Sequence, residues 1–166
     1  METTLLSLAH GFSVSFEPTN LWYAFLGCLL GTLAGLARHH GAPGAVIWVD
    51  AHGDLNTPGT SPSGNVHGMP LAAALGLAGD GFVHRGLTVP AAAADRTVLI
   101  GVGSRDEAEQ ALLRRSDVRV HSMSEIDRVG IEHVLREAID RVGGAPFVHV
   151  SLDLDVLDPE VAPGVG

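Results

Sequence analysis

The chain has one cysteine, Cys28, among 166 residues, so no internal disulfide can form and nothing asks for an oxidising compartment. The cytoplasm is the expected location. Basic side chains are also few: ten lysines and arginines stand against nineteen acids, a formal charge of -9, which discourages nucleic acid and anionic membrane as partners. Internal repeats, low-complexity tracts and interdomain linkers are missing too. Long apolar runs are limited to one, residues 21–37, which just reaches the lower length for a membrane span, about 17 residues. Three glycines interrupt it, and no basic residue precedes it to form a signal-peptide n-region. A buried helix is expected there, with Cys28 as a small core hydrophobe.

What is present suits one soluble globular domain over residues 1–166, with 46% hydrophobic residues and enough length for a real core. After the helix stop Arg38-His39-His40-Gly41-Ala42-Pro43-Gly44, residues 45–49 read as a buried strand. Residues 53–68 read as a polar loop and 69–78 as an apolar helix. A second strand is expected over 97–102, preceded by a Pro-Ala-Ala-Ala-Ala linker, and a helix over 107–115 with acids first and arginines last. Ser124-Glu125-Ile126-Asp127 offers a capped start to a long amphipathic helix with the stripe Ile131, Leu135, Ala138 and Ile139, ended by Gly143-Gly144. A third strand is expected over 147–152. Helices alternating with continuous apolar strands indicate an α/β fold on a parallel sheet.

Acidic residues follow two of these strands. Trp48-Val49-Asp50-Ala51-His52-Gly53-Asp54-Leu55-Asn56 is answered about a hundred residues later by Ser151-Leu152-Asp153-Leu154-Asp155-Val156-Leu157-Asp158-Pro159. Side chains two apart in an extended segment point the same way, so Asp50, His52 and Asp54 can converge, as can Asp153 and Asp155. Asp-Gly and Asp-Pro pairs alone also build turns. Four carboxylates pressed together, however, require a counter-charge, and an oxygen-rich set with one imidazole suits a hard ion such as manganese rather than a thiolate-built zinc site. A carboxylate bridging two ions roughly 3.5–4 Å apart would let them ionise a water between them.

These two segments, with Ser61-Pro62-Ser63-Gly64-Asn65-Val66-His67-Gly68-Met69-Pro70 between them, resemble the arginase branch of the ureohydrolase family. The resemblance covers residues 45–166 clearly and residues 1–20 poorly. It implies a three-layer αβα fold with a mainly parallel sheet, in an incomplete version shortened at both ends. It also implies two Mn2+ ions held by Asp50, His52, Asp54, Asp153 and Asp155, with Asp50 and Asp153 as bridges. His67 matches the family's proton shuttle, and Asp54 and Asp155 belong to the catalytic group. Asn56, Ser63 and Asp106 match residues that hold the amino-acid end of arginine. Trimers and hexamers are the family's usual assemblies.

Two departures stand out. Where the family carries a Gly-Gly-Asp-His type segment whose histidine completes the first metal's coordination, this chain has Phe25-Leu26-Gly27-Cys28-Leu29, so that site is expected to be incomplete. The family also continues past residue 166 with more strands and helices and an acidic residue that recognises the guanidinium group. A sheet of middle strands alone would expose unpaired edges and apolar surface, favouring poor solubility or association with other chains. Four readings stay open: hydrolysis of L-arginine to ornithine and urea, hydrolysis of agmatine or another guanidino compound, an inactive fragment with partial metal binding, and a membrane-anchored chain through residues 21–37.

Overall fold

The computed structural model describes residue 13 and residues 18–79, 88–103 and 105–163. Nearly all of the poorly matched segment 1–20, together with Ser104 and residues 164–166, lies outside them. Helix α1 (Pro18–His40) leads into β1 (Gly44–Val49), a loop, a single 3-10 turn (Val66–Gly68) and the short helix α2 (Pro70–Ala74). There follow β2 (Ala92–Val102), α3 (Glu107–Leu113), β3 (Arg119–Ser122), α4 (Met123–Val129), α5 (Ile131–Val142), β4 (Val148–Leu152) and a 3-10 turn over Leu154–Val156. The four strands form one parallel sheet in the order β3-β2-β1-β4.

Alternation along β1 builds the two faces. Val46 and Trp48 enter the core under α1 and α2, with Leu33, Leu71 and Leu99, while Ala45 and Ile47 join Val98 and Ile100 under α5. The result is a helix–sheet–helix sandwich, as the sequence implied. Parallel pairing sends every strand's C-terminal end to the same edge, so the loops after β1, β2 and β4 open side by side.

Several local expectations need correction. The apolar helix expected over 69–78 stops at Ala74, because Gly76 takes φ +76°. Ala92–Ala94 belong to β2 rather than to a linker, with Ala92 paired to Gly44 across an irregularity in register. A fourth strand, β3, went unforeseen. The long amphipathic helix is two helices, broken at Gly130 (φ +85°) and started by Ser122, whose Oγ accepts from Glu125 N at 3.3 Å. Of the expected stripe α5 buries Ala138, together with Val134 and Val142, and leaves Ile131, Leu135 and Ile139 exposed.

Cys28 is exposed rather than in the core, since α1 turns Leu29, Leu33 and Ala37 inward instead. Among the described residues no helix is long and apolar enough to cross a membrane. Edge strand β4 is not the buried strand expected from its composition. Val148, Val150 and Leu152 pair in register with Ala45, Ile47 and Val49 on the α5 side, yet Leu152 is 62% exposed.

Beneath α4 and α5, His121 on β3 is wholly buried and neither ring nitrogen has a hydrogen-bond partner. Glu125 stands 3.4 Å from its Nδ1 and Glu137 3.8 Å from its Nε2. Both carboxylates are held by Arg119 at 2.8 Å. Burial first, then the Arg119 charge, push the His121 imidazole pKa below its ordinary value.

Candidate metal centre

Asp50 and Asp153 are the first residues beyond their strands. Ladder pairing runs one step further in each case, with Asp50 N donating to Ile100 O at 3.0 Å and Asp153 N to Val49 O at 2.9 Å, so both carboxylates start from backbone fixed by the sheet. Asp50 is 4% exposed. Its Oδ1 accepts from His52 N at 2.7 Å and its Oδ2 from the Trp48 indole Nε1 at 3.1 Å.

The second loop folds back onto the first. Asp153 Oδ1 accepts from Asp155 N at 3.1 Å, and this turn delivers Asp155 to the β1 loop, where Oδ1 accepts from Ala51 N at 3.1 Å and Oδ2 lies 2.8 Å from His52 Nδ1. His52 Nδ1 is also 3.5 Å from Asp50 Oδ1. Ligand-capable atoms of Asp50, His52 and Asp155 all lie within 4.8 Å of one another. Gly101 makes the approach feasible: it takes φ +95°, and any Cβ there would collide with the Val156 side chain of the turn carrying Asp155.

Asp54 completes the acidic group from a left-handed backbone conformation, φ +50°, which costs a non-glycine residue roughly 1–3 kcal/mol. Its carbonyl accepts from Leu71 N and Ala72 N, both at 3.1 Å, anchoring the start of α2. Burial first, then the charges of Asp50, Glu109, Asp153 and Asp155, push its carboxyl up to about 8. Asp50 is raised to about 6, again by burial first, with Asp155 and Asp153 adding to it and the His52 N–H and Trp48 indole opposing. A divalent cation among these carboxylates would offset the cost of their charges. The donors are oxygen-rich with a single imidazole, so the residues present fit a hard divalent ion.

Beside this group a second network ties the β1 loop to α3. Asn56, 8% exposed, donates from Nδ2 to Asp106 Oδ2 at 2.7 Å. Asp106 caps α3, its Oδ1 accepting from Glu109 N at 2.8 Å, while Glu109 Oε2 accepts from Asp106 N at 3.3 Å. Slight burial pushes the Asp106 carboxyl up, but the Asn56 amide and the N–H groups of Glu109 and Ala108 outweigh it and hold the group below its ordinary value. Glu109 Oε1 also accepts from Leu55 N at 3.2 Å and lies 2.9 Å from where a Cβ on Gly53 would stand.

Of the residues singled out in the sequence, Asp50, His52, Asp153 and Asp155 are thus linked by direct contacts, and Asn56 is linked to Asp106. Ser63 is exposed, and its Oγ accepts from Asn65 N at 3.2 Å within its own loop. His67 is exposed in the 3-10 turn ahead of α2. Phe25–Leu29 lies within α1 and brings no histidine. Trp48 and Glu109 were not foreseen as parts of the site, although Asp106-x-x-Glu109 is a readable capping-box pattern.

Residues 27–166 match the sequence profile described as the arginase family. The chain belongs to that family. It is 50% identical over 137 residues to the arginase of Bacillus subtilis, a match covering 82% of this chain and 46% of that protein. The crystal structure of Bacillus subtilis arginase superposes with a TM-score of 0.77 at 48% identity, covering 83% of this chain and 48% of that one. Entamoeba histolytica arginase in complex with L-ornithine gives a TM-score of 0.69 at 34% identity, covering 79% and 45%. The chain therefore spans about half the length of these arginase-family relatives.

Proposed function

We propose that the chain carries manganese-dependent arginase chemistry, hydrolysis of the guanidinium group of L-arginine to ornithine and urea. The observation that carries this is the meeting of Asp50, His52 and Asp155 within 4.8 Å at the shared edge of β1 and β4, in a chain half identical to an arginase. Asp50, His52, Asp54, Asp153 and Asp155 would hold two Mn2+ ions, their oxygens matching that ion's preference. When bound, such ions supply a water acidified for attack and a positive field for charge developing on the substrate.

The remaining work falls to side chains of the chain itself. Asp106, ionised and held by Asn56, offers a fixed negative charge to the substrate's α-ammonium group. Asn56 and Ser63 provide polar groups for its carboxylate end. His67, exposed beside the loop, would carry a proton to the departing amine. The complex of Entamoeba histolytica arginase with L-ornithine supports an amino-acid ligand for this fold.

Urea release from arginine by the 166-residue chain with manganese, beside Asp153→Asn, tests the proposal. Manganese-dependent urea that disappears in the variant supports it, and a folded chain that binds manganese without releasing urea overturns it. That second outcome would favour a binding-only protein, a reading motivated by the missing imidazole at Phe25–Leu29.

A further inference from the structure

The side chain of Trp48 lies on the inner face of β1, 2% exposed and packed in the core with Leu33, Leu55 and Leu99. Its one polar atom, Nε1–H, points along the strand to Asp50 Oδ2 at 3.1 Å, while His52 N takes Asp50 Oδ1 at 2.7 Å. Each carboxylate oxygen offers about two lone-pair directions. One on each is therefore occupied by a donor fixed in the sheet or the turn after it, and one on each is left over. A carboxylate held this way would offer one free direction on each oxygen to an ion bound there.

We infer that Trp48 is a positioning residue for the metal centre, its indole N–H selecting the orientation in which Asp50 presents its oxygens to the ions. This rests on Asp50 being a ligand, as proposed above. An indole enclosed by close-packed side chains cannot change rotamer without disturbing its neighbours, so it holds the carboxylate more firmly than water or a surface donor would. A buried tryptophan also needs an acceptor for its own sake. That requirement alone would make its loss a matter of stability, with no effect on ion affinity once the chain is folded.

The test is titration of the folded chain with Mn2+ alone, read as the free-ion electron paramagnetic resonance signal, for wild type, Trp48→Phe and Asp50→Asn. Loss of a hydrogen bond that orients a ligand weakens affinity roughly 10–100-fold, and that is the result expected for Trp48→Phe. Unchanged affinity in folded Trp48→Phe, with weakened binding in Asp50→Asn, overturns the positioning role and leaves the metal reading standing. Unchanged affinity in Asp50→Asn overturns both. Should Trp48→Phe fail to fold, Trp22→Phe leaves a single indole whose 1H–15N resonance can be followed with diamagnetic Mg2+. A shift that saturates with the ion supports the inference, and a resonance indifferent to it overturns it.

Discussion

Asn56 donates to Asp106 across 2.7 Å, joining the loop after β1 to the head of α3 fifty residues later. The bond orients Asn56 and helps hold the Asp106 carboxyl below its ordinary value, and with the Glu109 Oε1–Leu55 N bond it ties the two segments into one wall beside the acidic cluster. A hydrogen bond to a charged group is worth about 1.5–3 kcal/mol. In a double-mutant cycle of Asn56→Ala and Asp106→Ala, read by urea denaturation, we expect a coupling near the lower end of that range. Strictly additive losses would mean that the bond holds nothing together.

The acidic cluster is expected to oppose folding when no ion is bound. The Asp54 carboxyl is raised to about 8 in the folded chain and titrates near 3.9 when unfolded, so the unfolded state binds fewer protons between these values. Stability of the metal-free chain should therefore fall as pH rises from about 4 to 8. Asp54→Asn removes the titration and suits the left-handed backbone better, so it should flatten that slope and raise metal-free stability at pH 7 by on the order of 2 kcal/mol. The same variant should bind Mn2+ more weakly, as calorimetry would register.

His121 gives the opposite slope on the acid side. Its folded pKa lies below the ordinary 6.5, so the unfolded state takes up the proton first and stability should drain away as pH falls below about 6.5. The charges facing the ring are Glu125 on α4, Glu137 on α5 and Arg119 on β3 itself. His121→Phe fills a similar space without titrating. Thermal melts between pH 5 and 7.5 should show a shallower acid decline in the variant, and an unchanged decline would move its origin elsewhere.

Gly101→Ala should damage the centre without touching a ligand. The new methyl group meets Val156 and is held at φ +95°, a conformation that costs an alanine on the order of 1–3 kcal/mol. The Leu154–Val156 turn must shift and carry Asp155 with it. We expect loss of stability together with weaker Mn2+ binding, the latter persisting in samples shown by circular dichroism to be fully folded.

Ser63→Ala separates the two candidate substrate classes. If Ser63 meets an amino-acid head group, KM for arginine should rise about tenfold, the effect of losing roughly one hydrogen bond of 1.4 kcal/mol, while turnover of agmatine, which lacks the carboxylate, stays as it was. Equal losses on both substrates would remove Ser63 from head-group recognition.

The parts legible in the sequence were those written as one uninterrupted pattern. The apolar runs of β1 and β4 and the spaced acids after them mark strand ends, and parallel pairing alone then brings Asp50 and Asp153 together. Strand β3 escaped notice because Arg119 and His121 look like solvent-facing residues. Arg119 pairs with Glu125 and with Glu137, the latter eighteen residues beyond it, and both carboxylates stand close to the buried His121 ring; no local pattern shows that. On α5 two stripes, Val134-Ala138-Val142 and Ile131-Leu135-Ile139, run side by side at helical spacing, so periodicity could not choose between them. Cys28 fell on the wrong side of α1 for the same reason, one position from buried Leu29. Trp48 reads as an ordinary core aromatic until its indole nitrogen is located.

The pairing of β4 with β1 has a kinetic side. Asp155 meets His52 across 103 positions of chain, and it does so only after β2, β3 and both C-terminal helices have been laid down between them. Contacts of such separation close late and slowly. If the proposed ligand set is right, a nascent or partly unfolded chain presents Asp50, His52 and Asp54 alone, a poor chelator, and tight ion capture waits for β4 to dock. Bound manganese would then act as a latch between β1 and β4, lowering the rate at which β4 peels away.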